Sequence, residues 1–198
     1  INESSALAAW WNELPSFWKS LLIEQTNTNI IPSKEELHAI INVKSLKVNH
    51  FIQDAEPVSR LTNLENLDIS DSKIDDLSPL FGMHNLKYLN ASNTKVSDLT
   101  PLSNCKNLRE LNIENTKVKS LQPLYGLGSI VKIYADGTSV TSQDVIELKK
   151  IHRQITVIYQ TASGKQREPF PLAVRCGSGR IFTDSMQYRR QRIRPGRH

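Results

Sequence analysis

The 198-residue chain carries 25 Lys and Arg against 20 Asp and Glu, for a formal net charge of +5, and 38% of its residues are hydrophobic. That apolar content is enough for a stacked core, and no apolar run approaches the ~20 residues that a membrane-spanning helix needs. The two cysteines, Cys105 and Cys176, make no metal or redox spacing, and their positions leave pairing open.

Residues 1–42 read as a helical N-terminal cap. Ala6 to Glu13 and Pro15 to Gln25 form two short helices split by Leu14-Pro15. Trp10, Trp11, Phe17, Trp18, Leu21 and Leu22 supply a dense apolar surface. A cover packed on the following segment explains it better than an aromatic ligand platform. Ser33-Lys34-Glu35-Glu36 is a capping box: Ser33 caps the helix and Glu36 reaches back to it. Leu37, Ile40 and Ile41 continue that helix.

Residues 43–140 hold a repeat with a 22-residue period. Leu64, Leu86, Leu108 and Ile130 fall in one column, and Leu67, Leu89, Leu111 and Ile133 in the next. Ile69, Ala91, Ile113 and Ala135 keep step, as do Ile74, Val96, Val118 and Val140. Pro79, Pro101 and Pro123 are each followed by leucine (Leu80, Leu102, Leu124). The motif reads L-x-x-L-x-I-x-x-T-x-V-x-D-L-x-P-L, the mark of a solenoid that buries a core only by stacking. In each copy the apolar alternation makes a short strand, and constant register makes successive strands parallel. Ser72, Thr94, Thr116 and Thr138 then turn the chain, with hydroxyls able to bond amides left open there. The D-L-x-P-L segment leaves room for one or two 3₁₀ or helical turns on the convex side, because proline suits a first turn and forbids a long helix. The first copy is irregular: Leu46 and Val48 precede Leu67 and Ile69 by 21 residues, so the turn near His50 to Glu56 differs by one.

These motifs resemble the bacterial leucine-rich repeat proteins of the internalin-like or SDS22-like class, over roughly residues 40 to 160. The resemblance implies an α/β fold: a right-handed solenoid with a parallel concave sheet, short 3₁₀ or helical convex segments and a helical N-terminal cap. It also implies a binding role with no cofactor, and a secreted or cell-surface bacterial setting. The last copy departs from the pattern, since D-L-x-P-L is missing after Val140.

Residues 141–159 read as a C-terminal cap. Thr141 or Ser142 caps a helix running through Ile151, and Ile155 to Tyr159 forms a last strand. Residues 160–198 change character. They carry a net +7, almost all arginine, whereas residues 1–159 carry a net −2 with lysine dominant. Arg189, Arg190, Arg192 and Arg194 could meet phosphates or acidic partners. With no fold for base readout, nucleic acid is the disfavoured partner.

Catalytic signals are lacking. His38, His50, His84, His152 and His198 fall in no ligand or nucleophile motif, and Gly126-Leu127-Gly128 reads as a turn. Asp68, Asp71, Asp75 and Asp76 do not match a calcium loop and read as dispersed. Binding is expected on the concave face. Its rows are Asn66, Asp68, Ser70; Tyr88, Asn90, Ser92; Glu110, Asn112, Glu114; and Lys132, Tyr134, Asp136, with Ser45, Lys47 and Asn49 as a fifth. At ~4.8 Å per strand this sheet is about 20 Å across. Tyrosine and Asn offer area and hydrogen bonds together, which suits a protein partner. A glycan on Tyr88, Tyr134, Asn90 and Asn112 is the alternative.

Overall fold

The computed structural model describes residues 3–48 and 51–160. Three helices come first: α1 (Glu3–Glu13), α2 (Ser16–Thr26) and α3 (Lys34–Ile41). Five strands follow at the repeat spacing: β1 (Ser45–Lys47), β2 (Asn66–Asp68), β3 (Tyr88–Asn90), β4 (Glu110–Asn112) and β5 (Lys132–Tyr134). Helix α4 (Ser142–Ile151) leads to β6 (Thr156–Ile158). The strands form one parallel sheet in chain order. Leu46, Leu67, Leu89, Leu111, Ile133 and Val157 align across it. The sequence pattern expects four rows, a fifth from Ser45 to Asn49 and a closing strand. The closing strand joins the same sheet as its sixth member.

Each strand is three residues long, and its central side chain is buried. Such a strand holds nothing alone; its ladder bonds and its core contacts come from the neighbouring coils. On the opposite side the chain makes 3₁₀ turns at Glu56–Arg60, Ser78–Leu80, Thr100–Asn104 and Gln122–Leu124, each with proline in its first turn. Asp54, Asp76 and Asp98 start these turns by accepting the backbone amide two residues on, each at 2.8 Å, and Ser120 does so at 3.2 Å. Val58, Leu80, Leu102 and Leu124 point back into the core, with no exposure.

The turn after each strand rests on two further columns. The Ser72, Thr94, Thr116 and Thr138 hydroxyls donate to the carbonyl three residues back at 2.6–2.7 Å. Three of them also accept the amide two residues ahead, at 3.3–3.5 Å. The expected bond to an open amide is there, but the donated bond is the shorter. The second column is one that the motif reading passes over: Asp71, Asn93, Asn115 and Gly137 all have positive φ (56° to 71°). Asn and Asp tolerate this left-handed backbone, and Gly adopts it without steric cost. Their side chains form a ladder, with Asn115 donating to Asn93 at 2.7 Å and Asn93 to Asp71 at 2.9 Å. The signal was present as Asp, Asn, Asn, Gly at 22-residue spacing.

The N-terminal helices pack onto the repeats. Trp11, Trp18, Leu21, Leu22, Leu37 and Ile40 join the continuous core. Phe17 does not: it is 44% exposed, and Trp10 is only partly buried, so the aromatic cluster is split. The Ser33–Glu36 capping box forms, and Thr141 with Asp144 makes another at α4. Gln25 of α2 closes the free edge of β1 with its side-chain amide, accepting from Lys47 N at 3.0 Å and donating to Lys47 O at 2.5 Å. Cys105 lies in the buried column of Leu61, Met83 and Leu127, and burial pushes its thiol up to about 11. Cys176 lies outside the described residues.

Leu111 has no exposure. Leu111→Ala should therefore lower unfolding free energy by about 2–5 kcal/mol in urea denaturation. At Gly137 a Cβ would collide with the Asn115 Oδ1, and φ is +71°. Gly137→Ala should cost about 1–3 kcal/mol by the same measurement. The Ser78 hydroxyl and amide hold the Asp76 carboxyl below its ordinary range, and those of Thr100 do the same for Asp98. A carboxyl lowered in the folded state stabilises above its unfolded value of about 3.9, and the benefit fades as pH falls through the folded value. Below about pH 4 the wild type should lose stability more steeply than D76N/D98N in an acid titration followed by circular dichroism.

Candidate functional site

Two positions of every strand face away from the core. The first carries Ser45, Asn66, Tyr88, Glu110, Lys132 and Thr156, and the third carries Lys47, Asp68, Asn90, Asn112, Tyr134 and Ile158. Six strands at ~4.8 Å give a face about 24 Å wide. A groove of about 780 Å³ runs over it, lined by Ser45, Lys47, Asn66, Asp68, Tyr88, Asn90, Glu110, Asn112, Glu114 and Tyr134. Of the expected concave residues, Ser70, Ser92, Lys132 and Asp136 lie outside that lining. Asn49 lies outside the described residues, as do Arg189, Arg190, Arg192 and Arg194.

Part of this face is committed to the turn beneath it. The Oδ1 atoms of Asp68, Asn90 and Asn112 accept the amides of Ser70, Ser92 and Glu114 at 3.0, 3.1 and 2.9 Å. The Ser70 and Ser92 hydroxyls donate to the same oxygens at 2.6 and 2.8 Å. Ser92 is buried at 8% exposure, so its hydroxyl fastens Asn90 instead of facing the groove. The physical reason is the end of the strand: beyond Asn90 the chain turns, and period-two alternation no longer projects side chains outward. Tyr134 replaces the carboxylate or amide of this column and ends the series.

The charges on the face are largely engaged. Lys47 Nζ sits 3.3 Å from the Asp68 carboxylate. Partial burial pushes the Asp68 carboxyl up, but the Ser70 hydroxyl and amide together with Lys47 outweigh that and hold it below its ordinary value. Lys132 Nζ lies 4.7 Å from the centre of the Tyr134 ring, within cation–π range. Asn112 Nδ2 donates to Glu114 Oε2 at 3.1 Å. Asp136 Oδ1 is buried with no hydrogen-bond partner among the described residues. Tyr88 is 41% exposed at the middle of the groove.

Three of the four aspartates near the second repeat are tied to separate partners: Asp68 holds Ser70, Asp71 accepts from Asn93, and Asp76 holds Ser78. Among the described residues no group of three or more His, Cys, Asp or Glu gathers as a metal site. Among the same residues, no helix is long and apolar enough to cross a membrane.

Comparison with known proteins agrees with this geometry. A family model describing two copies of leucine-rich repeats matches residues 84–126. No curated protein matches the chain in sequence. Among solved structures it is similar to an internalin (inlF) from Listeria monocytogenes, at 18% identity and a TM-score of 0.58 over 75% of this chain and 52% of that one. Internalin C2 (inlC2) of the same organism gives 18% identity and a TM-score of 0.54, over 75% of this chain and 87% of that one. A leucine-rich repeat protein of Leptospira interrogans gives 20% and 0.54, over 62% of this chain and 33% of that one. The chain thus spans about half of the first of these structures and a third of the last. Proteins of this fold commonly mediate protein–protein interactions. With the 22-residue register, the six-stranded parallel sheet and the 3₁₀ turns in place, this chain is a leucine-rich repeat protein with the solenoid fold seen in those bacterial proteins.

Proposed function

We propose that the chain is a non-enzymatic protein-binding module that takes its partner on the concave sheet. The observation that carries this is the groove itself. It is open, wide enough for an extended segment, and centred on an exposed tyrosine in a field of amides and carboxylates. Tyrosine at the centre of a groove is a strong anchor, because it buries large area for little lost side-chain freedom and keeps a hydroxyl to bond. The contact set is Asn66, Tyr88, Glu110, Asn112, Glu114 and Tyr134, with Asp68 and Asn90 offering only the atoms that their turns leave free. Residues 1–42 and 141–159 serve as covers for the repeats between them, which keeps the sheet ends from pairing elsewhere. A face about 24 Å wide supports an interface near the lower end of the standard range unless the covers add to it.

The test is partner capture from host and source lysates, with identification by mass spectrometry and affinity measurement on the purified pair. The variant Y88A/Y134A should weaken the identified partner at least tenfold, about 1.4 kcal/mol. A chain ending at Tyr159 should bind as the full chain does. A partner that survives the tyrosine variant and is lost on truncation would place the contact at the arginine-rich end instead. Competition by free oligosaccharide would point to a glycan on the same face.

A further inference from the structure

We infer that the flank of the solenoid beyond the strand turns is a second interaction surface, a row of lysines headed by a phenylalanine that takes an extended acidic peptide segment. It stands apart from the concave face and does not depend on the reading above.

The surface follows from the register of the segment after each hydroxyl turn. Ile52, Ile74, Val96, Val118 and Val140 form its buried column. Backbone bonds hold neighbouring copies together: the amides of Lys73, Lys117 and Ser139 donate to the carbonyls of Ile52, Val96 and Val118 at 2.8–3.0 Å. In an extended segment the residue before each buried one faces outward. Those residues are Phe51, Lys73, Lys95 and Lys117, at 22-residue spacing, and all four are exposed. Phe51 is 63% exposed. Lys119 is the next outward position after Lys117 and is exposed as well. At ~4.8 Å per coil, Phe51 and Lys117 mark the ends of a row about 14 Å long.

Among the described residues none of these four lysines makes an ion pair, whereas Lys44, Lys47, Lys87 and Lys150 each do. Like charges held one coil apart repel, and an anionic partner relieves that. The shape of the patch decides which anion. Exposed carboxylates border the row: Asp71 precedes and Asp75 follows Lys73 by two residues, and Asp98 follows Lys95 by three. A flat anionic bilayer would bring those carboxylates against its headgroups, whereas a single chain laid along the row avoids them. A nucleic acid strand gains from many phosphate contacts and repeated stacking, and this row offers four cations and one ring. An extended peptide of four or five residues spans about 13–17 Å, the length of the row. Acidic residues over the lysines and one apolar residue on Phe51 match its charge and its apolar end.

The probe is a fluorescein-labelled peptide of one Leu followed by a run of Glu, with counterparts carrying Gln for Glu or Ser for Leu. Anisotropy is read on the full chain at low and high salt. The arginine-rich end of the chain also attracts acidic peptides, so R189Q/R190Q/R192Q/R194Q is measured in parallel. The Glu peptide should bind more tightly than the Gln peptide, lose affinity with salt, and weaken about tenfold or more with K73Q/K95Q/K117Q/K119Q, at a melting temperature no lower than the wild type's. The arginine variant and Y88A/Y134A should bind it as the wild type does, and F51A should weaken the Leu peptide but not the Ser peptide. No binding of the Glu peptide, or binding that survives the lysine variant and is lost in the arginine variant, would overturn the surface. A preference for an oligothymidylate of equal charge or for phosphatidylserine vesicles, lost in the lysine variant, would overturn the peptide as its partner.

Discussion

The parallel ladder between coils is the constraint on which the structure depends. Each coil offers three ladder residues, too few to bury a side chain or satisfy a backbone without neighbours. Stacking at one spacing solves both problems, but only if every coil puts its leucines at the same height. A single insertion would move a whole coil out of step, and on a strand it would turn the core residues toward solvent. The repeat can vary where it does not touch the ladder. The first coil is one residue short, its difference falling between strand and 3₁₀ turn, and the last exchanges that turn for α4. Both changes leave Leu46 and Val157 aligned with the core row.

Polar columns do as much as apolar ones. The hydroxyl column and the Asx acceptors at Asp54, Asp76 and Asp98 bond the backbone at the points where the ladder cannot, and Asp71, Asn93 and Asn115 bond one another along the left-handed column. A buried backbone group without a partner is costly, so these positions allow few residue types. The same demand reaches into the binding face. Asp68, Asn90 and Asn112 look like recognition residues in the sequence, yet one oxygen of each is held by the turn below. The first strand position is not held in this way, and there the chain places Asn66, Tyr88, Glu110 and Lys132.

The two ends of the sheet are treated differently. At β1 an amide side chain from α2 takes the place of a further strand, bonding both backbone groups of Lys47. That single residue links the helical segment to the ladder and blocks edge pairing there. At the other end α4 crosses the convex side and is tied to the last 3₁₀ turn through His152 and the Tyr125 carbonyl, at 3.0 Å. It returns the chain to lay β6 beside β5.

The sequence alone determined the class of fold, the strand register, the 3₁₀ turns, the Ser33–Glu36 capping box and the first two outward positions of each strand. It could do so because each repeats at a fixed interval or follows a local rule, and local rules are written in neighbouring residues. Tertiary structure decided what depends on atoms from different coils. Ser92 turned inward to fasten Asn90, Phe17 stayed in solvent while Trp18 went into the core, and Gln25 found the edge of β1. The pairing of charges on the face was also decided there. Formal charges can be counted in a sequence, but that Lys47 pairs with Asp68 while Lys132 lies against Tyr134 is set by distances across the sheet.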